Sequence, residues 1–196
     1  MPAGFKYNLN APEVVEEICD VQTLHHKRGP YKLDTEGLTI GPKLPRFTPV
    51  AADLKTRMVK VVKNVKVLEE VAADATTVKI AKKSLAYVGM FLGTGAKGAK
   101  VTAIDTSNAN YDTLTLEAAF TAKVAAGTVL FEASAAGGTT PKNTANFVIY
   151  EETKVEEGIV LVALIMQAFE IQESKLTLPI SEKDKIGLTS RFQFEY

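Results

Sequence analysis

Hydrophobic and polar positions alternate in short runs along most of the chain after residue 56, with turn-forming residues between the runs. Examples are "RMVKVVKNVKVL", "TTVKI", "AKVTAID" and the closing "TSRFQFEY". Alternation with period two is typical of strands with one buried face, and the β-branched residues in these runs favour strands. The run "GIVLVALIMQAFEI" is almost continuously apolar, and its Val and Ile content and leading glycine favour a long buried strand over a helix.

One segment of this region, "PISEKDKIGL", has the features of a helix. Ser181 is placed to cap its N-terminus, Glu182 and Asp184 fall in the first turn, where the helix dipole favours acids, and Gly187 stands where a C-cap is expected. Many short strands with one short C-terminal helix predict a mainly β fold, either a small β-sandwich, a jelly roll or an open barrel.

The first 49 residues differ in composition, because they contain six of the eight prolines. Proline removes a backbone donor and fixes φ, so this region is not expected to form a run of central strands. Its apolar side chains are nevertheless too numerous for an autonomous disordered tail. We therefore predict an extended arm over residues 1–50, which becomes ordered on a partner surface, followed by an all-β domain over residues 51–196. The alternative is an arm packed on its own domain.

Charge and hydropathy give no support to two classes of partner, nucleic acid and membranes. The chain has 23 basic and 23 acidic residues and no net charge, which gives no reason to expect nucleic acid or an anionic membrane as partner. The longest apolar run, residues 159–166, is far shorter than the roughly 20 residues that span a bilayer. The N-terminus lacks the pattern of a secretory signal, so we expect synthesis in the cytoplasm without export.

The stretch "FLGTGAKGAK" has glycines at 93, 95 and 98 in the spacing of a dinucleotide-binding loop. Such a loop binds phosphate only where a strand leads into a helix, because the helix N-terminus supplies the free N–H groups. Here the residues on both sides have strand character and no helix pattern follows. We therefore predict a hairpin connection and no nucleotide site or other cofactor.

Candidate catalytic and metal-binding residues are few. The two histidines, His25 and His26, are adjacent and point to opposite sides of an extended chain, so they are not expected to hold one metal ion together. The single cysteine, Cys19, forms no intramolecular disulfide or multi-cysteine zinc site. No serine lies in a nucleophile-elbow pattern. Sequence reasoning thus predicts no catalytic residue and no metal ligand, although it leaves open a pair of carboxylates brought together from distant strands.

A family resemblance rests on the stretch "VAADATTVKIAKKSLAYVGMFLGTGAKGAKVTAIDTSNANYDTLTLEAAFTAKVAAGTVLFEASA" and on "NFVIYEETKVEEGIVLVALIMQAFEI". Together they resemble the head decoration and head fibre proteins of tailed bacteriophages and prophages, particularly those of Bacteroides-type hosts. The shared features are a "VTAID" strand, a turn rich in Asn, "DTLTL" and "AGTVLFEA". The resemblance implies an all-β domain that forms a homotrimer on the outside of the capsid and has no enzymatic activity.

On this basis we expect a structural virion protein that is made in the host cytoplasm and stabilises the outer capsid surface. Its expected partners are the major capsid protein and a further fibre or auxiliary capsid protein. The arm is expected to anchor it, since an apolar, proline-stiffened, mildly basic segment loses little entropy when it is fixed on a surface. The predicted capsid-binding residues are Phe5, Tyr7, Leu9, Lys27, Arg28, Tyr31, Arg46 and Phe47.

Two alternatives from other functional classes stay open at this stage. One is an adhesin-like fibre module that binds a host glycan through exposed loops. The other is a carbohydrate-active enzyme, which would need a pocket with two facing carboxylates.

Overall fold

The structure, a computed structural model, describes residues 17–195. Strands dominate this part of the chain. They are β1 (Asp20–His26), β2 (Tyr31–Leu33), β3 (Lys43–Leu44), β4 (Pro49–Asp53), β5 (Met58–Val61), β6 (Asn64–Lys66), β7 (Thr77–Ala81), β8 (Phe91–Gly93), β9 (Gly98–Asp105), β10 (Tyr111–Leu116), β11 (Val129–Glu132), β12 (Phe147–Ile149), β13 (Thr153–Lys154), β14 (Val160–Val162), β15 (Leu164–Gln172) and β16 (Phe192–Glu195). The helix α1 spans Glu182–Leu188. A mainly β fold with one short C-terminal helix is confirmed.

The larger sheet combines the two ends of the described chain. Its strand order is β1-β15-β12-β4-β5-β2-β14, and β16 pairs in parallel with β15. Because only Ala163 separates β14 from β15, the two are halves of one bent strand, and β2 and β1 pair along its successive halves. The sheet therefore curls back towards itself. The β2–β5 pair is parallel, and the small β3–β13 ribbon lies beside this sheet.

Apolar side chains fill both faces of the larger sheet. Alternation along β12 sends Phe147 and Ile149 into one cluster of buried side chains and Val148 into another. The first cluster fills the inside of the curl. The second is covered by α1 and β16 through Leu188 and Phe192. Burial on both faces explains why "GIVLVALIMQAFEI" is nearly continuously apolar, and its predicted strand is confirmed as β14 and β15.

The smaller sheet is formed by the middle of the chain. Its order is β6-β11-β8-β9-β10-β7, and a bridge between Val67 and Ile80 joins its two edge strands. The sheet thus closes into a small barrel around buried Val, Leu, Ile, Met and Phe side chains. Since residues 20–61 and 147–195 build the larger sheet, this barrel is an insertion within it.

Residues 17–50, the described part of the predicted arm, supply β1, β2, β3 and the first two residues of β4. Strand β4 is paired on both edges, with β12 and with β5, and its proline is the first residue of the strand. Proline is tolerated there, so a high proline content did not prevent strand formation. The described segment is packed on the chain's own domain, which is the alternative that the sequence left open.

Helix α1 begins as predicted but ends differently. The Ser181 hydroxyl accepts a hydrogen bond from the Asp184 N–H, and the Asp184 carboxylate accepts from the Ser181 N–H, which completes a capping box. Gly187, predicted as the C-cap, lies inside the helix, and Thr189 is the C-cap residue. A side chain at Gly187 would lie 2.4 Å from the Ala145 carbonyl oxygen, so glycine is needed there for close packing of the helix.

Candidate interaction surface

The predicted capsid-binding residues fall into three groups in the structure. Phe5, Tyr7 and Leu9 lie outside the described residues. Lys27 and Arg28 directly follow β1, in the connection to β2, where Arg28 is exposed and Lys27 is half-buried. Arg46 is half-buried in the connection between β3 and β4.

Tyr31 and Phe47 form the third group and belong to the core. Tyr31 lies inside the curl of the larger sheet, and Phe47 packs on its opposite face. Each is less than 4% exposed, so the folded chain does not present either ring as a surface anchor. Composition did not reveal this, because an aromatic residue in a proline-rich segment has the same sequence signature whether it packs on its own domain or on a partner.

A basic and aromatic cluster lies beside the end of β1. The Arg46 guanidinium carbon lies 5.3 Å from the centroid of the Tyr150 ring and 5.4 Å from that of Phe47, within the range of cation–π attraction. The His26 ring meets Tyr150 edge-on, with 4.0 Å between ring centroids. The fold thus brings His26, at the end of β1, and Arg46 to one aromatic ring, and Lys27 and Arg28 follow His26 in the chain.

Tyr150 was missed by sequence reasoning. It follows β12 at a distance of more than 100 residues from the basic segment, in a run that predicts only a strand. No local pattern marks it, because its contact with His26 and Arg46 depends on the pairing of β12 and β1 with opposite edges of β15.

A cleft separates the larger sheet from the inserted barrel. A cavity of about 590 Å³ is lined by the apolar side chains of Leu44, Leu85, Val155 and Leu178. A neighbouring cavity of about 420 Å³ is mainly polar, and Tyr87 lines both. The cleft is therefore apolar at one end and charged at the other.

The polar end of the cleft contains four linked side chains. Buried Glu132 accepts hydrogen bonds from the Tyr87 hydroxyl at 2.5 Å and from Lys142 Nζ at 2.8 Å. The Lys63 ammonium lies 4.4 Å from the centroid of the Tyr87 ring and donates to the Gly37 carbonyl at 2.7 Å. Glu132 ends β11 of the barrel and Gly37 lies in the connection after β2 of the larger sheet, so this network joins the two parts of the fold.

Burial and hydrogen bonding shift three pKa values in this network. Burial lowers the pKa of Lys63, and the Glu132 carboxylate partly opposes that effect. Burial raises the pKa of Tyr87, and the hydrogen bond to Glu132 acts in the same direction. The hydrogen bond to Glu132 raises the pKa of Lys142. Glu132 is thus hydrogen-bonded by a tyrosine and a lysine, and these contacts stabilise the packing of the barrel against the larger sheet.

The glycine loop connects β8 and β9 as a hairpin, as predicted. The Thr94 N–H donates to the Lys97 carbonyl at 2.9 Å across the turn, and Gly95 has a φ of +94°. Gly93 and Gly98 have a different role from the predicted one. A side chain at either would lie 2.4–2.7 Å from atoms of Gly138 or Phe131, so these glycines permit a neighbouring loop to pack on the hairpin.

Two aliphatic side chains that lie two residues apart in the sequence are exposed to solvent. Ile159 is 73% exposed and Leu161 is 57% exposed, at the start of the bent β14–β15 strand. Val160 and Val162 point into the core, so Ile159 and Leu161 share the outer face of that strand. Adjacent exposed aliphatic side chains of this size are typical of contact surfaces.

Within residues 17–195, no group of three or more His, Cys, Asp and Glu side chains is arranged to hold a metal ion. In the same part of the chain, no helix combines the length and hydrophobicity required to cross a membrane.

Comparison with known proteins identifies the family. No curated protein and no solved structure matches the chain. A family model described as "Head fiber protein" matches residues 2–193, which is nearly the whole chain. These are structural proteins of phage virions, so the carbohydrate-active enzyme considered from the sequence is replaced by a non-enzymatic structural role. The chain belongs to the family of phage head fiber proteins.

Proposed function

We propose that this chain is a homotrimeric head fibre or decoration protein that attaches to the outer surface of a phage capsid and stabilises the shell. Membership of the head fiber family makes it a structural component of the virion associated with the capsid. The trimer, the site of attachment and the stabilising effect are parts of the proposal.

The observation that best supports the proposed attachment site is the basic and aromatic cluster around Tyr150. Arg46, Lys27 and Arg28 were predicted from the sequence as capsid-binding residues; Arg46 contacts Tyr150 together with His26, and Lys27 and Arg28 follow His26 in the chain. Phe5, Tyr7 and Leu9 of residues 1–16 are proposed to contribute apolar contacts. Large aromatic and aliphatic anchors dominate interface energies, whereas charges at an interface rim mainly affect salt dependence.

Support for the trimer comes from the resemblance to decoration proteins and from the exposed pair Ile159 and Leu161. Burying such side chains between copies removes apolar surface from water, which is the main favourable contribution to association. Light scattering on the purified protein is expected to give three times the chain mass of 21.2 kDa. A mass of one chain at micromolar concentration would contradict the trimer.

Capsid attachment is tested by adding the full-length protein to capsids purified without it. We expect the protein to co-sediment with the capsids and to add density with threefold symmetry to their outer surface. We also expect the decorated shells to lose their integrity at a higher temperature than undecorated shells, since a ligand that binds only the assembled state stabilises that state. Absence of co-sedimentation would overturn the proposed function.

The cleft gives the glycan-binding alternative a specific location. It has the size of a small-molecule site and combines apolar walls with a few polar groups, as such sites commonly do. A glycan array probed with the isolated protein tests this second function. Binding to a defined glycan, lost when Tyr87 is replaced by Ala in a variant that still folds, would support it.

A further inference from the structure

The apolar end of the cleft has no occupant within residues 17–195. Its cavity of about 590 Å³ is lined by Leu44 and Val155, which belong to the buried cluster inside the curl, and by Leu178. Leu85, in the connection between β7 and β8, adds a wall from the barrel side. Protein interiors are closely packed, and apolar walls that face water lose a favourable contribution to the free energy of folding. An apolar occupant would therefore stabilise this part of the fold.

The described chain begins beside this cavity. The Lys175 ammonium donates a hydrogen bond to the Glu17 carbonyl at 3.1 Å, and Thr177, two residues further along, lines the cavity. Arg46 interacts electrostatically with the same buried cysteine as Glu17, and Pro45, directly before Arg46, lines the cavity as well. Two separate segments of the cavity wall therefore flank the point from which the N-terminal residues extend.

The residues directly before Glu17 have the composition of an occupant for an apolar cavity. Residues 11–16, "APEVVE", are mainly apolar and carry two acids and no base. Val14 and Val15 are the largest aliphatic side chains among them and lie three and two residues before Glu17. Three residues of extended chain span up to about 10 Å, so both side chains are within reach of a cavity that adjoins Glu17.

The charges at the rim of the cavity complement this segment. Lys43, Lys83 and Glu152 are among the lining residues. Lys43 pairs with Glu152, whereas the exposed Lys83 forms no ion pair within the described part of the chain. One uncompensated positive charge thus stands at the rim, and Glu13 and Glu16 flank the two valines. An acid beside Lys83 would add a modest attraction to the burial of the valine side chains.

We propose that residues 11–16 dock into the cavity of their own chain, with Val14 and Val15 against its apolar walls and an acid beside Lys83. Docking fixes the direction in which residues 1–10 leave the domain and leaves them outside the cavity, where they are available to a capsid. Fixing this direction in advance reduces the entropy that is lost when those residues bind a surface. The inference does not depend on the proposed function, because docking occurs in the free protein.

The test measures how fast a thiol reagent modifies a cysteine placed in the cavity of the free, full-length protein. Ser84→Cys supplies this reporter, because Ser84 lines the cavity and the change replaces a single atom. The native Cys19 is buried, and burial raises the pKa of its thiol, so it reacts slowly. Adding Val14→Asp and Val15→Asp should increase the labelling rate of the reporter about tenfold or more, because burial of a valine side chain favours the docked state by at least that factor.

Tyr7→Asp with Leu9→Asp is the matched control, because it adds the same two charges to the N-terminal segment outside the docking residues. Labelling of the Ser84→Cys reporter should then stay close to the rate without added acids. A second reporter, Val88→Cys, lies at an exposed position of the same β7–β8 connection and does not line the cavity. Its labelling rate should not respond to either pair of substitutions.

Two results of the labelling experiment would overturn the inference. Equal labelling of the cavity reporter with and without the two valine substitutions would show that the cavity is open in the free protein, and thus accessible to a glycan. An equal increase in the control would show that added charge, and not loss of the valines, exposes the cavity. Failure of the wild-type protein to bind capsids would contradict the proposed function instead and has no bearing on these rates.

A disulfide test distinguishes docking within one chain from docking on a neighbouring copy. Val15→Cys is combined with Ser84→Cys, and with Cys19→Ala so that only the two introduced thiols are present. After oxidation, peptide mass spectrometry should find the disulfide in a species of the one-chain mass of 21.2 kDa. Val15→Cys with Ile186→Cys, an exposed position on α1, is the control and should form little of it. A disulfide only between two chains, or equal yields for both pairs, would overturn docking in the same chain.

Discussion

The Asp184 carboxylate accepts a hydrogen bond from the Asn64 side-chain amide at 2.9 Å, although 120 residues separate the two in sequence. Asn64 opens the first strand of the inserted barrel, and Asp184 lies in the helix that covers the larger sheet. The second carboxylate oxygen accepts from the Ala145 N–H at 2.9 Å, at the point where the chain returns from the barrel. One buried carboxylate therefore bonds the helix α1 both to the segment where the chain enters the barrel and to the segment where it leaves it.

Replacing Asp184 with Ala should lower the free energy of unfolding by about 3 kcal/mol or more, because several buried donors lose their acceptor at about 1–3 kcal/mol each. Asp184→Asn should lose less, since one oxygen acceptor is retained. Chemical denaturation measures both. Glu182→Ala, at an exposed position in the same helical turn, is the control and should change stability little. Equal losses for Asp184→Ala and Glu182→Ala would contradict the proposed role of the carboxylate.

Gly98→Ala should destabilise the barrel, because the added methyl would lie 2.4 Å from the Gly138 Cα. Overpacking of this kind typically costs about 1–3 kcal/mol. Gly137→Ala is a suitable control, since nothing lies within 4 Å of the position of its added methyl. Thermal unfolding compares the two variants. A melting temperature for Gly98→Ala equal to that of Gly137→Ala would show that the close approach is not required.

Nucleotides should leave the melting temperature of the wild-type protein unchanged, since the glycine loop joins two strands and no helix follows it. Lys97→Ala should likewise assemble as wild type does. An increase of several degrees with ATP or NAD, as expected for a ligand well above its dissociation constant, would contradict the hairpin interpretation.

The Tyr87 hydroxyl should contribute stability that depends on pH. Burial, and then the hydrogen bond to Glu132, raise the pKa of Tyr87, so the folded protein holds this proton more tightly than the unfolded chain does. The contribution is complete below the unfolded pKa of about 10 and is lost as the pH rises through the higher folded value. Lys142 and Glu132 are present in both wild type and Tyr87→Phe, so comparison of these two proteins isolates the hydroxyl.

We therefore expect wild type to be more stable than Tyr87→Phe near pH 8, and the difference to shrink above about pH 10. Denaturation curves at several pH values provide the measurement. Tyr111→Phe is the control near pH 8, because the Tyr111 hydroxyl has no hydrogen bond within the described residues. A difference in stability between wild type and Tyr87→Phe that increased at high pH would contradict this prediction.

Two N-terminal deletions should behave differently. Composition alone suggests that deletion of residues 1–50 leaves a folded oligomer, but the structure predicts loss of folding, because that deletion removes β1, β2 and part of β4 from the larger sheet. Deletion of residues 1–16 keeps every described strand and should leave the fold intact while weakening capsid binding. Circular dichroism and co-sedimentation measure the two effects. Unchanged capsid binding by the shorter deletion would assign attachment to the β domain alone.

Ile159→Lys should reduce the mass of the oligomer if the exposed aliphatic pair lies between copies, because a lysine resists burial at an interface core. Ile186→Lys changes an equally exposed isoleucine on α1 and is the control. Light scattering should report a lower mass for the first variant only. Identical masses for both would place the contact between copies elsewhere.

Sequence by itself determined the mainly β class, the helix start at Ser181 and the hairpin character of the glycine loop. Each of these is fixed locally, by side-chain alternation along a strand or by a cap three residues from its partner. The family could also be recognised from the sequence, because its succession of motifs extends over most of the chain. These signals are readable because they depend on residues close together in the chain.

Only the tertiary structure decided which apolar residues of the N-terminal segment are core and which are available to a partner. Tyr31 and Phe47 are buried because β2 and the segment before β4 join strands formed more than 90 residues later. The contact of Arg46 with Tyr150 and the role of Gly98 arise in the same way, from segments that meet only after the sheets have formed. Strand pairing over such distances is set by the packing of both faces of a sheet, which no local pattern of residues specifies.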